Sequence, residues 1–145
     1  PGFNLRTTEI NSLLGLRKLS ELDKIIKKRQ YLSKEFRKII DNSNLEIYTQ
    51  KFDPHSSCFG FPIICKDLNL LERLKKSLDK HGFQTRPIVT GNIMRHPVSR
   101  FFPPSEKLLP NADKIHNNGL YIGNYFSSLE DAIIDFTNAI NSLRF

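Results

Sequence analysis

Two arginine–asparagine pairs in this sequence are placed where they could hold an anion. Asn4 and Arg6 lie in the run Pro1-Gly2-Phe3-Asn4-Leu5-Arg6, just ahead of a helix start. Free N–H groups and the helix dipole favour negative charge at such a point, so a phosphate would be well held there. Read as structure alone, Asn4 makes a turn and Arg6 a surface ion pair. Arg86 and Asn92 lie in Thr85-Arg86-Pro87-Ile88-Val89-Thr90-Gly91-Asn92, which runs from a strand end into a glycine-bearing turn. The planar guanidinium fork suits diphosphate or carboxylate. The plainer alternative is a strand-end charge followed by an ordinary turn. His55 and His96 each sit in a loop beside a proline and are the candidate proton carriers, although a loop histidine is commonly just solvated.

Other chemistries find little support. Cys58 and Cys65 are the only cysteines, and no Cys/His cluster at zinc spacing accompanies them, so neither a disulfide framework nor a metal site is indicated. The aromatic and apolar neighbours of Cys58 suggest a core position. No Ser/His/Asp set, nucleotide-binding glycine loop or paired-carboxylate signature is present. The formal net charge is +7 over 145 residues, which keeps open a reading of another class, a free-standing basic module for nucleic acid. The lysine-rich second helix argues for a solvated face instead, because Tyr31 and Phe36 do not form a stacking platform by spacing. No apolar run approaches a membrane span, and residues 1–8 lack the zones of a secretion signal. The expectation is a soluble, cytoplasmic protein with no nucleic-acid or membrane partner.

The elements that must position these residues follow from periodicity and caps. Thr7 or Thr8 caps a first helix whose apolar stripe is Ile10, Leu13 and Leu14, interrupted at Gly15. Ser20 with Asp23 resembles a capping box for a second helix carrying Leu22, Ile25, Ile26, Leu32, Phe36, Ile39 and Ile40 on one face. Strands are predicted over 45–49 and 58–65, the second at an edge or bulged because of Pro62. Asn69 with Glu72 opens a third helix that turns Leu71, Leu74 and Leu78 inward and stops at Gly82. A strand over 83–89 precedes a stretch, 90–110, in which the prolines at 97, 103, 104 and 110 predict an irregular loop. A short helix over 111–118, a strand over 120–122 and a last helix boxed by Ser127 and Glu130 complete the chain. The whole predicts one α+β domain, a small, mainly antiparallel sheet with helices packed on it.

Several of these segments together resemble the DegT/DnrJ/EryC1/StrS family of sugar aminotransferases and dehydratases. The first is Gly2-Phe3-Asn4-Leu5-Arg6-Thr7-Thr8-Glu9, followed by Leu14-Gly15-Leu16-Arg17-Lys18-Leu19. Within the family, Ser56-Ser57-Cys58-Phe59-Gly60-Phe61, Arg86-Pro87-Ile88-Val89-Thr90-Gly91-Asn92, Leu109-Pro110-Asn111-Ala112-Asp113 and Asn118-Gly119-Leu120-Tyr121-Ile122-Gly123-Asn124 look most like the 3-dehydratase branch. The His-Tyr-x-Pro-Leu-His stretch common in the family's aminotransferases does not occur at 89–94. Tyr125 stands where the dehydratase branch often has histidine, and Thr7 where a methionine is common.

The resemblance implies that residues 1–145 are the carboxy-terminal small domain of a fold-type I enzyme dependent on pyridoxal 5′-phosphate. The large cofactor domain would lie outside it and the fragment alone would be inactive. It implies a homodimer with shared active sites, in which Asn4 reaches the cofactor phosphate of the neighbouring subunit with Arg6 nearby. The residue facing the reactive cofactor carbon belongs to the large domain, so no catalytic residue is expected in this chain. The implied substrates are a 4-keto sugar nucleotide and glutamate, with Arg86, Asn92 and His96 lining or bordering the sugar-nucleotide side. A sugar 4-aminotransferase is the neighbouring alternative.

Overall fold

Leu32, Phe36 and Ile40 recur every fourth residue, a spacing that puts them on one stripe of a helix. In the computed structural model, which describes residues 8–101, 109–124 and 127–144, they are the buried residues of helix α2 (Leu22–Asp41). Helix α3 (Leu68–Lys80) buries Leu71, Leu74 and Leu78 by the same periodicity. Helix α5 (Leu129–Asn141) buries Ala132, Phe136, Ala139 and Ile140. These three helices form one layer.

The second layer is a four-stranded antiparallel sheet of β1 (Ile47–Thr49), β2 (Gly60–Cys65), β3 (Thr85–Pro87) and β4 (Gly119–Gly123), in the order β1-β2-β4-β3. Alternation along the strands sends Ile47, Phe61, Ile63, Cys65, Leu120 and Ile122 into the core. There Phe36, Phe61, Phe83 and Phe136 pack ring against ring, with Phe36 and Phe136 centroids 4.3 Å apart. The opposite face carries Tyr48, Pro62, Tyr121 and Arg86. Helix α4 (Pro110–Asn118) crosses one end of that face, where Lys114 lies 4.6 Å from the centroid of the Tyr48 ring. The fold is therefore α+β, helices on a small antiparallel sheet, as the sequence predicts.

Several boundaries differ for identifiable reasons. Ser20 does not open α2: its hydroxyl donates to the Arg17 carbonyl and closes α1 (Glu9–Leu19), while α2 starts after Glu21 without a side-chain cap. The cap of α3 is Asp67, not Asn69, because Asp67 is extended and its carboxylate accepts from the Leu70 N–H. Ser128, one residue beyond the expected Ser127, caps α5 by accepting from the Asp131 N–H. Strand β2 lies inside the sheet despite Pro62. The register ends β1 at Thr49 opposite Ile63, so no β1 residue faces Pro62, and the Thr49 hydroxyl donates to the Pro62 carbonyl.

Strand β3 is shorter than the predicted 83–89, and Phe83 turns into the core instead. The proline-bearing stretch is partly regular, with 3₁₀ turns at Ile93–Arg95 and Pro97–Phe101. Helix α1 buries no residue at all. Ile10, Leu13, Leu14, Leu16 and Leu19 are each more than half exposed.

Candidate functional site

The segment after β3 is fastened by Asn92. Its side chain is buried, donates from Nδ2 to Asp113 Oδ1 at 2.6 Å and accepts at Oδ1 from the Met94 N–H at 3.0 Å, which caps the first 3₁₀ turn. Arg95 Nε donates to the same Asp113 oxygen at 2.6 Å. The Arg95 hydrogen bond first, and then that of Asn92, hold the Asp113 carboxyl below the usual aspartate range. Thr90 and Gly91 both adopt positive φ, and a Cβ on Gly91 would meet His116 Nδ1 at 2.7 Å and its Cα at 3.0 Å. Only glycine lets this turn lie so close to α4. His96 holds its Nε2 2.7 Å from the Thr90 carbonyl, with its ring edge-on to His116 at 5.7 Å. Asn92 and His96 thus belong to one hydrogen-bonded unit that shapes the segment, and their polar atoms are largely engaged within it.

Arg86 stands apart from that unit. It is exposed on β3, directly opposite Tyr121 of β4, on the sheet face away from the core. Two grooves meet at it. One, of about 390 Å³, is bounded by Phe59, Gln84, Arg86, Tyr121 and Gly123. The other, of about 410 Å³, is bounded by Lys75, Arg86, His116 and Asn117 and carries donors but no carboxylate. Arg86 is therefore placed to offer its guanidinium to an anionic or acceptor-rich ligand in either groove. Sequence reasoning gave no role to Asp113, Gln84, Phe59 or Tyr121. The alternation of β4 was the signal that could have set Tyr121 beside Arg86.

The other candidates are placed as follows. Asn4 and Arg6 lie outside the described residues. The N-terminus of α1 is described: Thr8 caps it by accepting from the Asn11 N–H, and Glu9 puts an acid in its first turn. Cap and acid already serve this helix end, so the described residues do not by themselves supply a phosphate site there. His55 is exposed. Cys58 is half-buried with its Sγ 3.0 Å from the Ser56 hydroxyl, not a core residue as expected. Cys65 is the fully buried thiol, and desolvation pushes it up to about 12. Among the described residues no group of three or more His, Cys, Asp or Glu could hold a metal ion, and no helix is long and apolar enough to cross a membrane.

A domain of this fold, with basic and aromatic side chains on the open sheet face, belongs to a recognisable class. The sequence profile of the DegT/DnrJ/EryC1/StrS aminotransferase family matches residues 1–141, and the chain belongs to that family. A GDP-4-keto-6-deoxy-D-mannose 3-dehydratase of Yersinia pseudotuberculosis is 31% identical over 144 residues, covering 97% of this chain and 36% of the relative. The enzyme of that name from Escherichia coli O55:H7 is 33% identical over 138 residues, covering 92% and 35%. The solved structure of E. coli GDP-4-keto-6-deoxy-D-mannose 3-dehydratase with bound hydrated PLP superimposes with a TM-score of 0.83 at 28% identity, over 97% of this chain and 37% of that one. The chain thus spans about a third of the length of the curated relatives it matches.

Proposed function

We propose that residues 1–145 form the carboxy-terminal small domain of a pyridoxal 5′-phosphate-dependent sugar-nucleotide 3-dehydratase. Its substrate would be a 4-keto-6-deoxy nucleotide sugar, with glutamate as amino donor, in cytoplasmic deoxysugar synthesis for surface polysaccharide such as lipopolysaccharide O-antigen. The observation that carries this reading is identity above 30% along nearly the whole chain to two enzymes of that name. The dehydratase-like segments at 56–61 and 86–92 favour this branch over a 4-aminotransferase.

In this reading the small domain binds and shapes but does not carry out the chemistry. Arg86 takes an acceptor-rich part of the substrate. Asn92 and His96 border the same side by fixing the course of 90–101, and Asn4 and Arg6 grip the cofactor phosphate of a partner subunit. The cofactor is held mainly by a large domain outside this chain and supplies the electron sink. Helix α1 supports a homodimeric, multidomain enzyme. An apolar helix with no buried residue is left without a cover by its own domain.

The test is the product formed by the polypeptide encoded around this chain, together with any coding sequence that precedes it. With pyridoxal 5′-phosphate, glutamate and GDP-4-keto-6-deoxymannose, a 3-deoxy sugar nucleotide with release of ammonia is expected. Conversion only to the 4-amino sugar would replace the dehydratase with an aminotransferase.

A further inference from the structure

We infer that the pocket between α2 and the segment joining β1 to β2, where the guanidinium of Arg37 and the thiol of Cys58 share one lining, is a binding site for a small carboxylic acid. It lies on the helix side of the sheet, away from Arg86, and does not depend on the sugar-nucleotide reading.

Hydrogen bonds build the walls. Gln30, Ser33 and Arg37 recur at a spacing that sets them along one side of α2. Gln30 Nε2 donates to the Pro54 carbonyl at 2.6 Å and to the Ser56 carbonyl at 3.3 Å, which holds the joining segment against the helix. Asn124 Nδ2 donates to Ser33 Oγ at 2.8 Å and to the Cys58 carbonyl at 2.9 Å, which fixes the far end. These groups are engaged in the wall. Arg37 is not: its Nε is buried with no hydrogen-bond partner among the described residues, and its side chain forms no ion pair with any of them. Asp53 brings a carboxylate to the lining, but its Oδ1 accepts from the His55 N–H at 2.8 Å.

What remains selects the ligand. A buried guanidinium N–H requires an acceptor, and the planar fork matches a carboxylate through two parallel hydrogen bonds. Lys51 adds positive charge at the rim, while Phe52 gives the lining an apolar part that suits a short hydrocarbon stem. The pocket measures about 40 Å³, against the roughly 10–15 Å³ that a single water needs. An acid of acetate size fits that space.

Cys58 reports on occupancy because it lines the same pocket. Its thiolate displaces iodide from iodoacetate: a sulfur–carbon bond forms, iodide leaves and the thiol proton passes to solvent. A thiolate with no carboxylate site beside it reacts faster with neutral iodoacetamide, since the anionic reagent is repelled. The experiment uses the intact polypeptide encoded around this chain, at fixed ionic strength, and reads the Cys58 peptide by mass spectrometry. Iodoacetate should alkylate Cys58 at a rate that saturates and exceeds that of iodoacetamide by about fivefold or more. Acetate should protect, and equal concentrations of chloride or inorganic phosphate should not. Arg37→Gln should abolish the preference for iodoacetate and leave the iodoacetamide rate unchanged. Arg37→Lys keeps the charge without the fork and should retain only part of the preference. Faster reaction with iodoacetamide in the wild type, equal protection by chloride or phosphate, or a preference retained in Arg37→Gln would each overturn the assignment. Should Arg37→Gln fail to fold, Arg37→Lys and the protection by acetate decide the matter.

Discussion

Asn92 Nδ2 donates to Asp113 Oδ1 at 2.6 Å and so ties the turn after β3 to α4. The bond joins residues 21 positions apart, one near the start of the proline-bearing stretch and one just beyond it, and Arg95 shares the same acceptor.

That arrangement has a definite pH response. Asp113 is held below its ordinary value of about 3.8 by Arg95 and then Asn92. A depressed acid contributes fully above its unfolded value and loses its contribution as pH falls through the lower folded value. The amide resonances of Met94 and Arg95 should therefore move in acid with a midpoint below that of an unstructured aspartate. Asp113→Asn should abolish that titration. A midpoint at or above the ordinary value would show that the clamp does not form.

Asn92→Ala removes both a buried donor and the cap on the Met94 N–H. A loss of about 1–2 kcal/mol in urea unfolding is expected. Faster hydrogen exchange should be confined to the neighbourhood of 90–96. Uniform loss of protection across the sheet would contradict this local role.

Cys65 is a buried neutral thiol, pushed up to about 12 from an ordinary 9.0 chiefly by desolvation. A raised folded value means its contribution is complete below pH 9 and declines as pH rises toward 12, at up to about 1.4 kcal/mol per unit. In Cys65→Ala the part of the alkaline loss due to this thiol should disappear. A thiol reagent at pH 8 should modify Cys58 in the native protein and reach Cys65 only on unfolding.

Phe136 touches Phe36, Phe61 and Phe83 and is fully buried. Phe136→Ala should cost about 3–5 kcal/mol, a large share of the roughly 5–15 kcal/mol that stabilises a typical domain. A loss below 1 kcal/mol in denaturant unfolding would mean that the ring cluster is not the centre of the core.

Helix α1 makes the opposite prediction. Leu13→Gln with Leu16→Gln should change stability by no more than about 0.5 kcal/mol per site, because both leucines are well over half exposed. The same pair should reduce self-association in sedimentation and binding of a hydrophobic dye. A large loss of stability would place α1 against its own core.

The amino-acid sequence was most informative where one residue's periodicity or a short segment carries the signal. The stripes on α2, α3 and α5 were legible because a helix with one apolar face has few ways to bury it. The family was legible because segments such as 86–92 keep their residue order. The caps were less so. Ser20 and Asn69 each have an acid three residues on, whereas the true cap of α3, Asp67, is followed there by Leu70, and only backbone conformation distinguishes a cap from a nearby serine or asparagine. The interior position of Pro62 was equally hidden, since a missing N–H is harmless wherever the neighbouring strand has already ended.

By itself, then, the sequence determined an α+β domain, its apolar faces and its family. Tertiary structure decided what those residues meet. It turned Asn92 into a buried fastening for Asp113, set Tyr121 beside Arg86 through the antiparallel register, and left α1 uncovered. These outcomes depend on which distant segments are brought together in space, and pairings over such separations leave no local periodic trace in a single chain.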